Sequence, residues 1–371
     1  MNATPVNSFD EWSELREVVV GRAENYTAHH TDASFRLFYF DNVDPHLPAD
    51  AEMHQLLPIP QQLVDELSED IAGFVDALTG CGVRVLRPAP PGKNIDIASP
   101  FWDARATPPL NVRDQTIILG DTIVETAPHV RARIFENDLL KPIFYNYLAG
   151  GANWLTMPRP ALARDSLDEE YFTRQGIDVS RATRDETTLS IEGLGHEMIF
   201  DGAQCMRLGR DVLVNVANTN HAMALEWLRR TIPDLRFHQL DAIADSHIDS
   251  VVVPLRPGVM LLRSPEYLAY LPAAMQKWDV IYPPVPDEDA FPDYSEFGFN
   301  IASKHIDINV LSLDESTVVV NSLYPELIAA LEARHFTVIP VEHRHRRLFG
   351  GGFHCFTLDT VRAGGCEDYL G

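Results

Sequence analysis

Cysteine is scarce in this chain of 371 residues: only Cys81, Cys205, Cys355 and Cys366 occur, scattered and without CxxC spacing. Such usage signals neither a zinc site nor a disulfide framework, and a reducing compartment is expected. Positive charge is also in short supply. Against 54 Asp and Glu stand 30 Lys and Arg, a formal net charge of −24, which repels nucleic acid and anionic membrane surfaces at long range. A small cationic or zwitterionic partner suits that balance better. No apolar run is long enough to cross a bilayer. The opening MNATPVNSFDEW has neither the apolar centre of a signal peptide nor the Arg/Ser character of a transit peptide, so a cytoplasmic protein is expected. A phosphate loop, a dinucleotide fingerprint and HExxH are all missing, so the sequence carries none of these motifs for a nucleotide or zinc cofactor.

What is present is ample core material, 45% hydrophobic residues, arranged in a recurring order. Glu17–Gly21 reads as a strand, and Leu63, Val64, Leu67, Ile71, Phe74, Val75 and Leu78 form a helical stripe between Pro60 and Gly80. Val83–Arg87 is the next strand; residues 22–58, without periodicity, read as a long loop. Four times afterwards a hairpin, a helix and a strand follow one another. The hairpins are 116–119 with 122–125, 206–208 with 212–215, 250–255 with 259–262, and 309–313 with 317–320. The helices are expected up to 147, around 225–228, at 267–275 and at 325–333, each followed by a strand (154–157, 236–240, 280–282, 337–339). Repetition of this kind indicates a repeat architecture. The first unit lacks one hairpin partner, which Phe353–Val361 can supply by pairing last with first and closing a ring. The expected fold is therefore α/β, one domain of about five ββαβ units over residues 1–371. Hairpins within each unit argue against a doubly wound parallel sheet.

The chemistry is expected around Gly350-Gly351-Gly352-Phe353-His354-Cys355. Glycines allow the close approaches and turns that bring Cys355 to a ligand-facing edge. If the segment is a strand, His354 points away from Cys355 and is a poor base for it. Polar residues stand at the heads of other hairpins: Asp114, Asp201, and His247 with Asp249, whose i, i+2 spacing shares one face if a strand begins there. A thiol, an imidazole and three carboxylates suit a guanidinium, which is planar, permanently cationic and rich in N–H donors. The basic island His343–Arg347 either lowers a nearby thiol pKa, meets carboxylates, or is a solvent-exposed strand end. Pro283–Asp289 reads as a loop.

The segments Val6–Asn25, VRD at Asp114, FDGA at Asp201, SHIDSVVVPLRPG around His247 and GGGFHCFTLDTVRAGG around Cys355 resemble the glycine/inosamine-phosphate amidinotransferase family over nearly the whole chain. The resemblance implies a five-bladed α/β propeller of the pentein superfamily, with Cys355 as nucleophile, His247 as acid/base and Asp201 orienting it. It further implies that Asp114 and Asp249 hold the guanidinium of an L-arginine donor and that Ser303 stands near the donor's carboxylate. The family's carboxylate-binding arginine is expected at a spacing that here falls on Glu266 or Tyr267, and Arg263 is the displaced substitute. Ala244-Asp245-Ser246 ahead of His247 is closer to the inosamine-phosphate branch, implying an amine acceptor other than glycine and a role in bacterial guanidino natural-product biosynthesis. A homodimer is the assembly the family suggests. Two alternatives stand beside this reading: an arginine deiminase-like hydrolase with water as acceptor, and a ring-shaped binding module with an inert Cys355.

Overall fold

The computed structural model describes residues 5–31, 55–92, 95–163, 166, 168, 196–244, 246–287, 290–292, 294 and 304–371. Strand β1 (Leu15–Val20) is a β-branched run buried along nearly its whole length. The link that follows is more ordered at its two ends than the sequence suggests: β2 (Ala28–Thr31) pairs antiparallel with β3 (Gln55–Pro58). Helix α1 (Gln61–Gly80) then buries Val64, Leu67, Ile71, Phe74 and Leu78, spaced three and four apart so that they form one face. It leads to β4 (Arg84–Leu86), parallel to β1. A short hairpin not expected from sequence, β5 (Asp96–Ala98) with β6 (Asp103–Arg105), comes next.

The one-turn helix α2 (Val112–Gln115) introduces the hairpin of β7 (Thr116–Leu119) and β8 (Thr122–Glu125). Helix α3 (Lys141–Ala149), restarted by Pro142 in its first turn, leads to β9 (Asn153–Thr156), parallel to β8. Strands β10 (Cys205–Leu208) and β11 (Asp211–Val216), helix α4 (Thr219–Thr231) and β12 (Arg236–Asp241) repeat the plan. So do β13 (Val252–Arg256), β14 (Val259–Leu262) and β15 (Asp279–Ile281), but the helix expected over 267–275 is absent. Two 3-10 turns, Pro265–Tyr270 and Met275–Lys277, stand there. Pro272 lies between them, and its ring and missing N–H break the helix that the apolar pattern suggests. The plan returns with β16 (Leu311–Ser312), β17 (Thr317–Asn321), α5 (Pro325–Glu332) and β18 (Thr337–Val341). After the one-turn helix α6 (Arg346–Phe349), strand β19 (Thr357–Arg362) pairs antiparallel with β1, Val18 opposite Asp359 and Val20 opposite Thr357.

Five three-stranded sheets result among the described residues, all of one construction: an antiparallel pair with a parallel third strand. The last strand of the chain completes the sheet of the first. Every first strand, β19, β7, β10, β13 and β16, is preceded by a turn or short helix, and these lead-ins carry Cys355, Asp114, Asp201, Asp249 and Asn309 in turn. No helix among the described residues is long and apolar enough to cross a membrane.

The cores between sheets and helices explain the order. Beneath α1, Phe74 is buried against Phe353, ring centroids 4.7 Å apart, and so ties the helix to the turn that carries Cys355. Phe74→Ala should cost about 3–5 kcal/mol by cavity formation. Denaturant unfolding checks this; a loss below about 1 kcal/mol would contradict the packing described.

Candidate active site

Cys355 is not on a strand. Gly350 adopts φ +67° at the end of α6, a left-handed conformation that glycine takes without a Cβ penalty, and residues 353–356 form turns before β19 starts. Gly352 packs so tightly on Asn309 that a Cβ there would lie 2.6 Å from the Asn309 Cβ. Asn309 fixes the cysteine from both sides. Its Oδ1 accepts from the Cys355 N–H at 3.0 Å, and its Nδ2 lies 3.2 Å from Sγ and 3.3 Å from the Asp249 carbonyl.

Turn geometry also overturns the argument from opposite strand faces. His354 and Cys355 converge on one carboxylate: Asp249 Oδ2 is 2.9 Å from His354 Nδ1 and 3.1 Å from Cys355 Sγ. His354 Nε2 lies 3.2 Å from Glu11 Oε2, so the ring bridges two carboxylates and does not act on the thiol directly. Likewise His247 and Asp249 lie in the turn before β13, not on a strand, and alternation does not explain their proximity.

Asp201 caps the Gly202–Gln204 turn in a capping box with Gln204. Its Oδ2 is 3.1 Å from His247 Nε2, and Asp114 Oδ1 is 3.9 Å from the same nitrogen. Asp114 is tied by its other oxygen to Arg133 Nη1 at 2.7 Å, and Arg133 also grips Glu136 at 2.9 Å. Asp114 Oδ1 is buried and accepts no hydrogen bond among the described residues. Asp114, Asp201, Asp249 and Cys355 are all 1% exposed or less, whereas the His247 side chain is 17% exposed and forms the wetter edge of the group.

Electrostatics divide the labour. Burial opposes a charge on His247, but Asp114, Asp201 and Asp249 outweigh it and raise its pKa to about 9. The same carboxylates act oppositely on the thiol: burial first, then Asp249 and Asp114, push Cys355 well above the usual cysteine range. Burial works against the Asp249 charge too, yet the His354 contact overcomes it and brings that pKa to about 2. Asp201 is held low by His129 and His247 despite burial, while burial dominates at Asp114 and raises it.

The remaining expectations fall as follows. Arg263 is half-buried and donates to Ser250, the neighbour of Asp249, through Nε to the carbonyl and Nη2 to the hydroxyl, both at 2.9 Å. Ser303 and Asp245 lie outside the described residues. The basic island meets carboxylates: Arg344 pairs with Asp70, His345 with Glu66 at 2.7 Å, and Arg346 with Asp307. It is no exposed strand end, since His343, His345 and Arg346 are buried, and the thiol pKa goes up, not down. Residues 282–287 have no regular structure, as expected for a loop, while 288–289 lie outside the described residues.

Asn309, Glu11, Arg133, His129 and His221 were missed by sequence reasoning. Asn309 had a readable signal, because it stands at the head of a hairpin as Asp114 and Asp201 do; a search confined to ionisable residues passes over it. Asp114, Asp201 and His247 offer one ligand atom each, all within 4.8 Å of one another, so they are the residues that could hold a cation of any kind. Two of the three atoms are carboxylate oxygens, suited equally to N–H donors.

Two outcomes follow from this geometry. Replacing Asp249 by Asn removes a negative neighbour of the sulfur; the thiol pKa should fall, so alkylation of Cys355 at fixed pH should accelerate by roughly tenfold. Unchanged alkylation kinetics would contradict the stated cause of the shift. Gly352→Ala should displace Asn309 and slow any reaction of Cys355 by at least about tenfold while secondary structure persists; circular dichroism with an activity assay distinguishes this from unfolding.

No protein-family model matches the chain. It is 31% identical over 380 aligned residues to an L-arginine:L-lysine amidinotransferase of Pseudomonas savastanoi pv. phaseolicola, covering 100% of this chain and 98% of that protein. It is 30% identical to inosamine-phosphate amidinotransferase 1 of Streptomyces glaucescens, covering 98% of this chain and 99% of the relative. Among solved structures, an amidinotransferase of the saxitoxin biosynthetic pathway of Microseira wollei superposes with a TM-score of 0.81 at 27% identity, covering 99% of this chain and 100% of that one. A thiol and an imidazole set among buried carboxylates, on a scaffold shared end to end with these enzymes, leave one conclusion: the chain is a transferase of the amidinotransferase family within the pentein superfamily.

Proposed function

We propose that the protein moves the amidino group of L-arginine to a primary amine other than glycine, through a covalent intermediate on Cys355, in the biosynthesis of a bacterial guanidino natural product. The observation that carries the donor assignment is the buried, unsatisfied Asp114 Oδ1 close to His247, with Asp249 Oδ2 3.1 Å from the sulfur. Carboxylates close to a thiol favour a planar cation whose N–H groups they can receive. The names of the relatives support arginine as donor and an amine as acceptor.

The electrostatics favour an ordered sequence of events. With no cation present, burial, reinforced by Asp249 and Asp114, keeps Cys355 protonated. A guanidinium settling between them offsets that negative field, and the thiol releases its proton to water as the donor binds. The thiolate attacks the guanidino carbon, forming an S–C bond. His247, an imidazolium at neutral pH, gives its proton to the departing nitrogen; the C–N bond breaks and ornithine leaves. An amidino cation remains on sulfur and His247 is neutral. The acceptor amine then attacks that carbon, its surplus proton passes to His247, and the C–S bond breaks to restore the thiolate. Asp201 orients His247 throughout. Arg263, held on Ser250, is the candidate anchor for the donor's carboxylate, with Ser303 assigned to the same end by resemblance.

The architecture belongs to this reading as well. The five like sheets are proposed to be the blades of a closed α/β propeller, one domain over residues 1–371 with its axis through the site; the pairing of β19 with β1 and the shared construction of the sheets support it. A homodimer is the assembly the resemblance suggests, and light scattering of the full chain tests it; the composition of the N-terminal segment is what supports a cytoplasmic location.

Mixing the protein with L-arginine alone should release one equivalent of ornithine and leave an amidino adduct on Cys355, seen by intact mass and discharged by added amines. Steady citrulline production would mean that water is the acceptor; no product and no adduct would overturn the proposal. The ornithine burst should weaken as pH rises through about 9, since His247 then loses the proton that the leaving amine needs. A burst unchanged well above that pH would remove His247 from the acid role.

A further inference from the structure

Behind Asp201, outside the residues assembled above, two histidines lie fully buried: His129, between β8 and the Arg131–Arg133 turn, and His221, in the first turn of α4. Their Nε2 atoms are 2.8 Å apart, with the rings nearly perpendicular at 79°. The other His221 nitrogen, Nδ1, accepts the backbone N–H of Ala217 at 3.2 Å. His129 Nδ1 is 3.2 Å from Asp201 Oδ1.

These contacts assign the protons. A neutral imidazole carries one N–H. Because His221 Nδ1 accepts from Ala217, its proton is on Nε2 and is donated to His129 Nε2; Asn218 Nδ2, 3.3 Å from the same atom, is the longer contact. His129 Nε2 is therefore an acceptor, and its own proton is on Nδ1, the nitrogen nearest Asp201; at 3.2 Å from Oδ1 it is in electrostatic contact, though not aligned as a hydrogen bond. A second proton on His129 would set N–H against N–H unless His221 moved its proton to Nδ1, where it would oppose the Ala217 N–H. The arrangement runs one way only.

We propose that His129 and His221 are positioning residues: a directional pair of neutral imidazoles that holds Asp201 by Oδ1, turns Oδ2 toward His247, and cannot itself take up the proton that His247 must deliver. This rests on the reading of His247 and Asp201 as the proton-transfer pair. The titratable and charged groups facing that pair come from several elements. Asp114, Asp201 and Asp249 act on His247, while His129 and His247 act on Asp201, with Arg133 close by on Asp114. All of these remain when His221 is changed.

Nitrogen-15 spectra of the full chain with labelled histidine test the proton assignment directly, without reference to activity. His221 is expected as the Nε2–H tautomer and His129 as the Nδ1–H tautomer at neutral pH; a doubly protonated His129, or His221 protonated on Nδ1, would overturn the proposal. Kinetically, His221→Phe removes the donor to His129 and should lower kcat about tenfold or more, with KM for L-arginine within about twofold and the basic limb of the pH profile moved to lower pH. His221→Gln, whose amide nitrogen stands where Nε2 stood, should restore most of kcat, and His129→Asn should do the same relative to His129→Phe. Wild-type kcat and an unmoved pH profile in folded His129→Phe and His221→Phe variants would also overturn it. Asp201→Asn separates the two levels. If it keeps full activity, the underlying proton-transfer reading fails; if it is impaired while the phenylalanine variants are not, the inference alone fails. Should those variants not fold, the tautomers of the native chain decide.

Discussion

One carboxylate with no exposed surface, Asp359 of β19, is shared by three guanidinium groups: Arg113 Nη2 at 2.8 Å, Arg207 Nη2 at 2.7 Å and Arg362 Nε at 2.5 Å. Arg207 reaches it from β10, Arg113 from α2. Arg207 also holds Glu11 at 2.7 Å and donates to the carbonyl of Ile118 on β7. Four chain segments thus meet at one buried charge cluster. Such a cluster is poor evidence for net stability, because desolvating each ion costs several kcal/mol. Its value is geometric: removing any member strands a charge, so only one arrangement of β19, β10, α2 and the N-terminal segment is tolerated.

The Cys355 thiol hangs from that arrangement. Arg113 Nε donates to the His354 carbonyl, Glu11 takes the far side of the His354 ring, and that ring holds Asp249, on which the thiol rests. From Asp359 to Cys355 the structure is continuous hydrogen bonding through buried groups. Burial raises the thiol pKa and opposes the charge on His247; the same carboxylates then add to the first effect and overcome the second, because one group becomes negative and the other positive.

How much of this could be read beforehand varied with the range of the interaction. Local periodicity located α1, the hairpins and the return of the last strand to the first, since alternation and helical spacing are properties of neighbouring residues. It failed where a proline interrupted an apolar pattern, as at Pro272, and where pairing joined distant ends, as in β2 with β3. The catalytic candidates were legible as polar residues heading apolar strands, though their roles came from resemblance. What could not be read was the supporting set. Glu11 and Cys355 are far apart in sequence, and nothing local distinguishes Glu11 from a surface glutamate. Nothing in the sequence next to His129 or His221 marks either residue, and their relation to Asp201 exists only once distant segments are packed. His354 was misjudged because a strand was assumed where three glycines allow a turn.

Each first strand of the five sheets is led in, two to four residues earlier, by one polar contributor: Cys355, Asp114, Asp201, Asp249 and Asn309. The sheets are therefore five sockets of like construction, each presenting a single letter of the candidate site from its own lead-in. A change of reaction within such a frame can be written at those five positions and their backing residues, without rewriting any strand. Heredity can edit the chemistry and the scaffold separately.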